Sequence, residues 1–329
     1  MNKNAEHNVL NDDLTNSTSE FIRQLFVGLL SRESEPTDLS CYIELIRGGA
    51  TLADVARLIA SSPEIKVKHP QPSLPSIDKD IGEFVINGHK MFVPLNDIVY
   101  YESRITGTYE PHVSQAITDH LNPHGTFPDV GSNIGAHSIE ASAKVGPRGT
   151  VYSVDASIEN CAVHNKSIRC FGHGNITVMP HAVGVSPAIE NIKIDDNSSN
   201  KSIRKTATVN SLKIVVIPID HLLIYVGKFD LIKIGVEGRK AGVLSTCSGI
   251  LLNSKYPVVP GCLGRDRTQY TAAEGHYTDF LIQMGYTPFV IDRDHTFTKL
   301  DGSAASFEGA INAKRATGGD VIDLLFKFI

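Results

Sequence analysis

The stretch Thr126-Phe-Pro-Asp-Val-Gly-Ser-Asn-Ile-Gly135 constrains the fold more than any other part of the chain. A short apolar run reaches Asp129, a glycine turn follows, and a helix is expected to start near Ala136. Gly131 and Gly135 carry no Cβ, so the backbone there allows close approach of a ligand. A turn at the carboxyl end of a first parallel strand is where open α/β sheets place their ligands. The spacing is Gly-x-x-x-Gly. The dinucleotide pattern Gly-x-Gly-x-x-Gly therefore fails, because its second and third glycines fall on Asn133 and Ala136. No Gly-Lys-Ser/Thr follows, which excludes a Walker phosphate loop.

A second strand is expected over Gly149-Thr-Val-Tyr-Ser-Val-Asp155, ending on an acid about twenty residues beyond the turn. A carboxylate at that place accepts both ribose hydroxyls of a bound nucleoside, in NAD sites and S-adenosylmethionine (SAM) sites alike. With the dinucleotide and phosphate loops excluded, the reading that remains is the nucleoside end of SAM. Each acid has an alternative role. Asp155 can cap the helix starting near Ile158, and Asp129 can cap the turn through its own side chain.

At 329 residues the chain is long for one domain, and two are expected. A hydrophobic fraction of 41% suffices for a sizeable core, and a net charge of −5 argues against a nucleic-acid partner. The five cysteines, 41, 161, 170, 247 and 262, are odd in number and lack framework spacing, as fits thiols in a reducing cytoplasm. Residues 1–16 are polar and acidic, unlike a signal peptide. The apolar region 214–236 is interrupted by Pro218, Asp220, His221, Lys228 and Asp230 and reads as no membrane span. The thirteen histidines are scattered, and Pro123 separates His120 from His124, so no histidine metal site is expected. No Gly-x-Ser-x-Gly elbow supports a serine hydrolase.

Residues 1–18 read as a disordered leader. A three-helix module is expected over 19–66, beginning at a Ser19 cap. Its second helix stops at Gly48-Gly49, and its third starts at the capping pair Thr51 and Asp54. Pro70, Pro72 and Pro75 stiffen a linker over 67–80, and the catalytic domain fills 81–329. The module resembles a short helical domain of unknown function found beside bacterial modifying enzymes, through residues 21–26, 29–33 and 61–64. It reads as a spacer or a docking surface for a protein partner. Alternation about Asn87-Gly88 predicts a hairpin, and Pro111 opens a helix as its first residue. That helix would form a lid and bring Glu110 to the ligand, unless Glu110 only complements the helix dipole. Further strands are expected at 175–179, 189–194, 212–219, 230–238, 257–263 and 286–291. Helices are expected at 158–171, 239–252 and 271–284, and 181–184 reads as a turn along an adenine edge.

The chain resembles the FkbM-type methyltransferases over about residues 80–292. The matching stretches are Gly107–Pro111, Asp129–Gly135, Val151–Asp155, Ala182–Gly184, Ile219–Leu223 and Asp230–Gly238, in the family's order. The resemblance implies a Rossmann-like doubly wound α/β sheet of the class I SAM-dependent methyltransferase type, beside the small all-α domain. It also implies methylation of a hydroxyl on a sugar or natural product. The cofactor is then SAM, held by Glu110, Asp129, Gly131, Ser132, Asn133, Gly135, Asp155 and Ala182.

Two positions depart from the family. Gly235 replaces an aspartate, and the strand after Tyr256-Pro257 reads Val-Val-Pro-Gly-Cys262-Leu in place of one ending on glutamate. Both fall on the acceptor half of the site. A hydroxyl acceptor benefits from a general base, for which Glu237, Lys233 and His276 are the candidates. Each has an alternative: a helix cap for Glu237, a neighbouring strand for Lys233, plain exposure for His276. Beside the enzyme stand two other readings, a diverged scaffold that keeps the fold and a nicotinamide dehydrogenase, the latter opposed by the missing central glycine.

Overall fold

The computed structural model describes residues 18–28, 32–48, 50, 52, 55–56, 59, 81–97, 100–193, 203–204, 211–236, 240–246, 248–263, 277–319 and 322–329. The chain divides into two compact units, Met1–Ser73 and Leu74–Ile329.

In the first unit, residues 18–28 are helical, so Ser19, expected as the cap, already lies inside the helix. The next helix, Pro36–Arg47, starts with proline at its first position, where a missing N–H costs nothing. The Glu35 N–H donates to Asp38 Oδ2 at 3.0 Å, satisfying one end group, and Gly48 ends the helix. Residues 52, 55, 56 and 59 are helical. Ile22, Phe26, Val55 and Ile59 form a small core through i, i+4 spacing on their own helices. Residues 1–17, the Thr51 and Asp54 pair and the linker 67–80 lie outside the described residues.

The second unit opens with β1 (Ile81–Ile86) and β2 (His89–Pro94), paired antiparallel with Ile86 opposite His89. Asn87 and Gly88 both have positive φ, 48° and 80°, the requirement of the two-residue turn that matches strand twist. Helices Tyr101–Thr106 and Pro111–His120 lead into β3 (Thr126–Val130). The helix Ala136–Val145, β4 (Thr150–Val154), the helix Ile158–Phe171 and β5 (Ile176–Met179) follow as read from the sequence.

Four differences come next. Residues expected as an adenine-edge turn form β6 (Ala182–Gly184), which pairs in parallel with β9 (Ser211–Pro218). With β7 (Ala188–Lys193) and β8 (Ile203–Arg204), these strands make a separate sheet ordered β6-β9-β7-β8, so the runs near 189–194 and 212–219 do not join the main one. After the helix Ile219–Val226 and β10 (Ile232–Ile234), the single helix expected over 239–252 is two, Lys240–Thr246 and Ser248–Ser254. The strand expected over 257–263 is broken into β11 (Val258–Val259) and β12 (Cys262–Leu263) at Gly261, whose φ is 71°. The helix Tyr277–Gln283 and β13 (Thr287–Ile291) follow; residues 264–276 lie outside the described set. Beyond them, where the sequence reading stopped, stand β14 (Phe297–Lys299), the helix Ala304–Ala316 and β15 (Ile322–Lys327).

The main sheet runs β14-β13-β15-β11-β10-β3-β4-β5, with β12 on β15. From β5 to β11 the pairs are parallel, and β15 inserts antiparallel between β11 and β13. Leu324, Leu325 and Phe326 are consecutive and wholly buried, as a strand covered on both faces requires. The faces sort by parity. Val130, Val154, Ile232 and Ile234 join one core; Phe127, Val151 and Leu231 join the other. Asp129 and Lys233 share parity with that second set and so point to its side.

Candidate functional site

The glycine turn is held by the strand beside it. The N–H groups of Gly131 and Ser132 both donate to Val154 O, at 2.8 and 3.0 Å, and Gly135 N–H donates to Ser132 O at 2.9 Å. Gly131, Asn133 and Gly135 have φ of 77°, 53° and 87°. Both glycines are demanded from within the protein. A Cβ on Gly131 would collide with the Gly235 carbonyl, and one on Gly135 with the His164 ring. Ser132 Oγ and Asn133 Oδ1 are buried and have no hydrogen-bond partner among the described residues. Buried polar atoms are rarely left so, and a polar ligand at the turn fits them.

Asp155 closes one side. Its Oδ2 accepts the Asn133 N–H at 2.9 Å and its Oδ1 the Ser157 N–H at 2.8 Å. The cap of the helix Ile158–Phe171 is Ser157, whose Oγ accepts from Asn160 N, so Asp155 is an Asx-turn residue ahead of the cap. A carboxylate has about four acceptor sites, and the two backbone bonds fix its plane against the turn.

Asp129 is wholly buried and faces inward. Its Oδ1 accepts from Lys233 Nζ at 3.1 Å and its Oδ2 from Ser138 Oγ at 2.6 Å. Ser138 Oγ lies 3.0 Å from Ser153 Oγ, which lies 3.1 Å from His164 Nδ1. Asp129 and Lys233 are register partners on β3 and β10. Burial disfavours charge on both, but each holds the other ionised. The Asp129 carboxyl sits below the usual range and the Lys233 ammonium above its own. Lys233 also donates to Gly131 O at 3.3 Å. A protonated lysine has no lone pair to accept a proton, so Lys233 acts here through its charge, in the cross-strand position that was its alternative.

Glu110 stands ahead of the helix Pro111–His120 with left-handed φ and ψ of 41° and 54°. Its side chain is 42% exposed, and its Oε2 lies 3.0 Å from His137 Nε2. Burial raises its pKa, but the hydrogen bond from His137 and the charge of Lys233 carry it below the usual value. Glu110, Asp129, Gly131, Ser132, Asn133, Gly135 and Asp155 therefore gather at the ends of β3, β4 and β10. Ala182 packs in the second sheet with Ile214 and Val216, against Ala156 beside Asp155.

Glu237 and His276 lie outside the described residues. Gly235 N–H donates to Val130 O at 2.6 Å. A Cβ there would stand 3.0 Å from Lys233 Nζ and 3.2 Å from Gly131 O. Among the described residues no group of His, Cys, Asp and Glu side chains is placed to hold a metal. Sequence reasoning missed His137, Ser138, Ser153 and His164. The available signal was the pair His137-Ser138, with Ser142 one turn on, on a helix face that had to be buried.

A sheet parallel from β5 to β11, with one antiparallel strand slipped between β11 and β13 and a glycine turn after β3, has the architecture of the class I SAM-dependent methyltransferases. The model described as “Methyltransferase FkbM domain” matches residues 129–286, from the acid of the turn to the residue before β13. No curated protein matches the chain at a significant level. Similar solved structures include precorrin-6y C5,15-methyltransferase from Geobacter metallireducens, 13% identical, covering 67% of this chain and 89% of that one, TM-score 0.37. Methyltransferase FkbM from Methylobacillus flagellatus is 12% identical, covering 92% of this chain and 58% of that one, TM-score 0.39. TYW2 from M. jannaschii, in complex with AdoMet, is 10% identical, covering 76% and 88%, TM-score 0.40. Likenesses at this level carry no argument beside the strand order.

Proposed function

We propose that the chain binds SAM across the turn at Gly131–Gly135 and transfers its methyl group to a hydroxyl of a saccharide or other small-molecule acceptor. The observation that carries this reading is the turn itself. Two buried polar atoms, on Ser132 and Asn133, await partners between a fixed Asp155 and a part-exposed Glu110. Asp155 would take the ribose hydroxyls, and Ser132 and Asn133 would meet polar atoms of the nucleoside. The Lys233–Asp129 pair fixes the floor where β10 meets β3. Bound SAM supplies a methyl group already activated on a sulfonium, so the protein's main contribution is orientation, worth up to roughly 7–11 kcal/mol for well-placed reactants. A base for the acceptor proton is assigned to Glu237 or His276, since Lys233 is held protonated.

Residues 19–66 are assigned as a docking or spacer module and 67–80 as its linker. The free thiols Cys41, Cys161 and Cys170 support a cytoplasmic setting. Among the described residues no helix is long and apolar enough to cross a membrane.

A second reading, a scaffold with an intact SAM half, is favoured by Gly235. The residues ending β10, Ile234 to Val236, offer the acceptor no carboxylate. Transfer of labelled methyl from SAM to a panel of hydroxyl compounds separates the two, with wild type and Gly235→Asp assayed in parallel. Gly235 lies outside the left-handed region, and an added Cβ would stand 3.0 Å from Lys233 Nζ and 3.2 Å from Gly131 O, so the melting temperatures of both proteins are measured beside activity. Labelled product from wild type, increased by Gly235→Asp at unchanged SAM affinity, supports the enzyme. Product from neither protein, while both bind SAM, establishes the scaffold.

A further inference from the structure

The hairpin turn at Asn87 does more than reverse the chain. The Asn87 side chain reaches across to the segment ahead of the helix Pro111–His120: its Oδ1 accepts the Tyr109 N–H at 2.9 Å. That contact fixes which end of the amide is oxygen, because a backbone N–H must meet an acceptor. The amide nitrogen then faces Tyr109 O at 2.8 Å, Ser114 Oγ at 2.9 Å and Glu140 Oε2 at 3.0 Å, its two hydrogens shared among three acceptors. Ser114 Oγ, accepting from Asn87, has its own hydrogen to give to His137 Nδ1 at 3.0 Å. A ring that accepts at Nδ1 carries its proton at Nε2, and Nε2 lies 3.0 Å from Glu110 Oε2. Every donor in the series points the same way, from the hairpin to the Glu110 carboxylate.

The series ends on a residue that needs holding. Glu110 has a left-handed backbone directly before Pro111, a conformation that a following proline disfavours. Its place in the site is also defined. Asp155 stands at the end of β4, on the nucleoside side of the turn. Lys233, whose charge acts on Glu110, stands at the end of β10, on the opposite side. Asp129 has one oxygen on Lys233 and the other on Ser138, and it is wholly buried. Glu110 is thus the exposed carboxylate on the side where the methionyl end of a nucleoside-anchored SAM must lie.

We propose that Asn87, Ser114 and His137 are positioning residues that hold the Glu110 carboxylate to receive the α-ammonium group of SAM. The inference rests on the SAM reading above and assigns one end of the ligand to one relay. It makes the hairpin ahead of the α/β core a part of the cofactor site.

Two probes separate this role from general packing. S-adenosylhomocysteine carries the α-ammonium group; 5′-methylthioadenosine keeps the nucleoside and sulfur but lacks the amino-acid end. Calorimetric titration of the full chain with each is compared among wild type, His137→Ala and His137→Gln. Wild type is expected to prefer S-adenosylhomocysteine. His137→Ala should weaken that compound roughly tenfold, as loss of a charge-assisted contact does. Its affinity for methylthioadenosine should stay within about twofold. His137→Gln, which returns an N–H donor near the Nε2 position, should restore most of the loss. Equal losses for both probes, or none for either, overturn the relay. If wild type binds both probes equally, Glu110 does not read the ammonium group, and the inference falls while the SAM reading stands. If folded wild type binds neither, the SAM reading itself falls.

Discussion

His164 is packed too tightly to carry a proton. Its ring is wholly buried against the glycine turn, Nδ1 lies 3.1 Å from Ser153 Oγ, and Nε2 has no partner among the described residues. Burial lowers its pKa from 6.5 to about 4. In the unfolded chain the ring titrates near 6.5, so between these values the unfolded state binds the extra proton. Stability is therefore undiminished above pH 6.5 and falls as pH drops toward 4, by roughly 3 kcal/mol from this residue alone. His164→Gln removes the titration, and urea unfolding from pH 7 to pH 4 should give a flatter profile for the variant than for wild type. At this scale the sequence was readable where one residue type has one use, as at Pro111 opening its helix. It was ambiguous where a residue has several. Asp155 could be a ribose-binding acid or a cap, and the cap is Ser157, two residues on. The glycines read as room for a ligand, and neighbouring protein atoms give a second reason for a glycine at both.

The glycine turn acts as one element because three residues alternate into positive φ between a strand and a helix. Gly135→Ala should therefore destabilise by at least about 2 kcal/mol, combining a left-handed alanine with a clash against His164. Adding His164→Ala removes the clash but not the strain. Denaturant unfolding of the singles and the double should give a coupling energy showing that the two changes together cost less than their sum. Elements with a strong local signal were legible: the Asn87-Gly88 hairpin, β3 with its turn, and the helix Ile158–Phe171. Those defined by a distant partner were not. Ala182–Gly184 is too short for any period, and it is a strand only because β9 pairs with it after an intervening β7 and β8. The break between β11 and β12 depends on Gly261 entering positive φ, which an apolar run from Val258 does not announce.

For the molecule as a whole, alternating strands and helices made a doubly wound sheet the natural expectation, and the parallel half of the main sheet has that form. Strand order is a different matter. β15 is last in sequence yet lies between β11 and β13, and its apolar run alone says only that it is buried on both faces. The turn of the candidate site and the strand beside it were readable as elements because they are built from contiguous chain, Asp129 to Gly135 and Val151 to Asp155. The rest is assembled from distant segments, with Asn87, Ser114 and His137 meeting through side chains that no spacing connects. The central claim is that this assembled site binds SAM. One calorimetric titration of the full chain, with SAM and then with NAD, tests it most directly. Heat of binding with SAM, none with NAD, and affinity at least about tenfold weaker in Asp155→Ala are the predicted results. A folded wild-type chain that gives no heat with SAM contradicts the account.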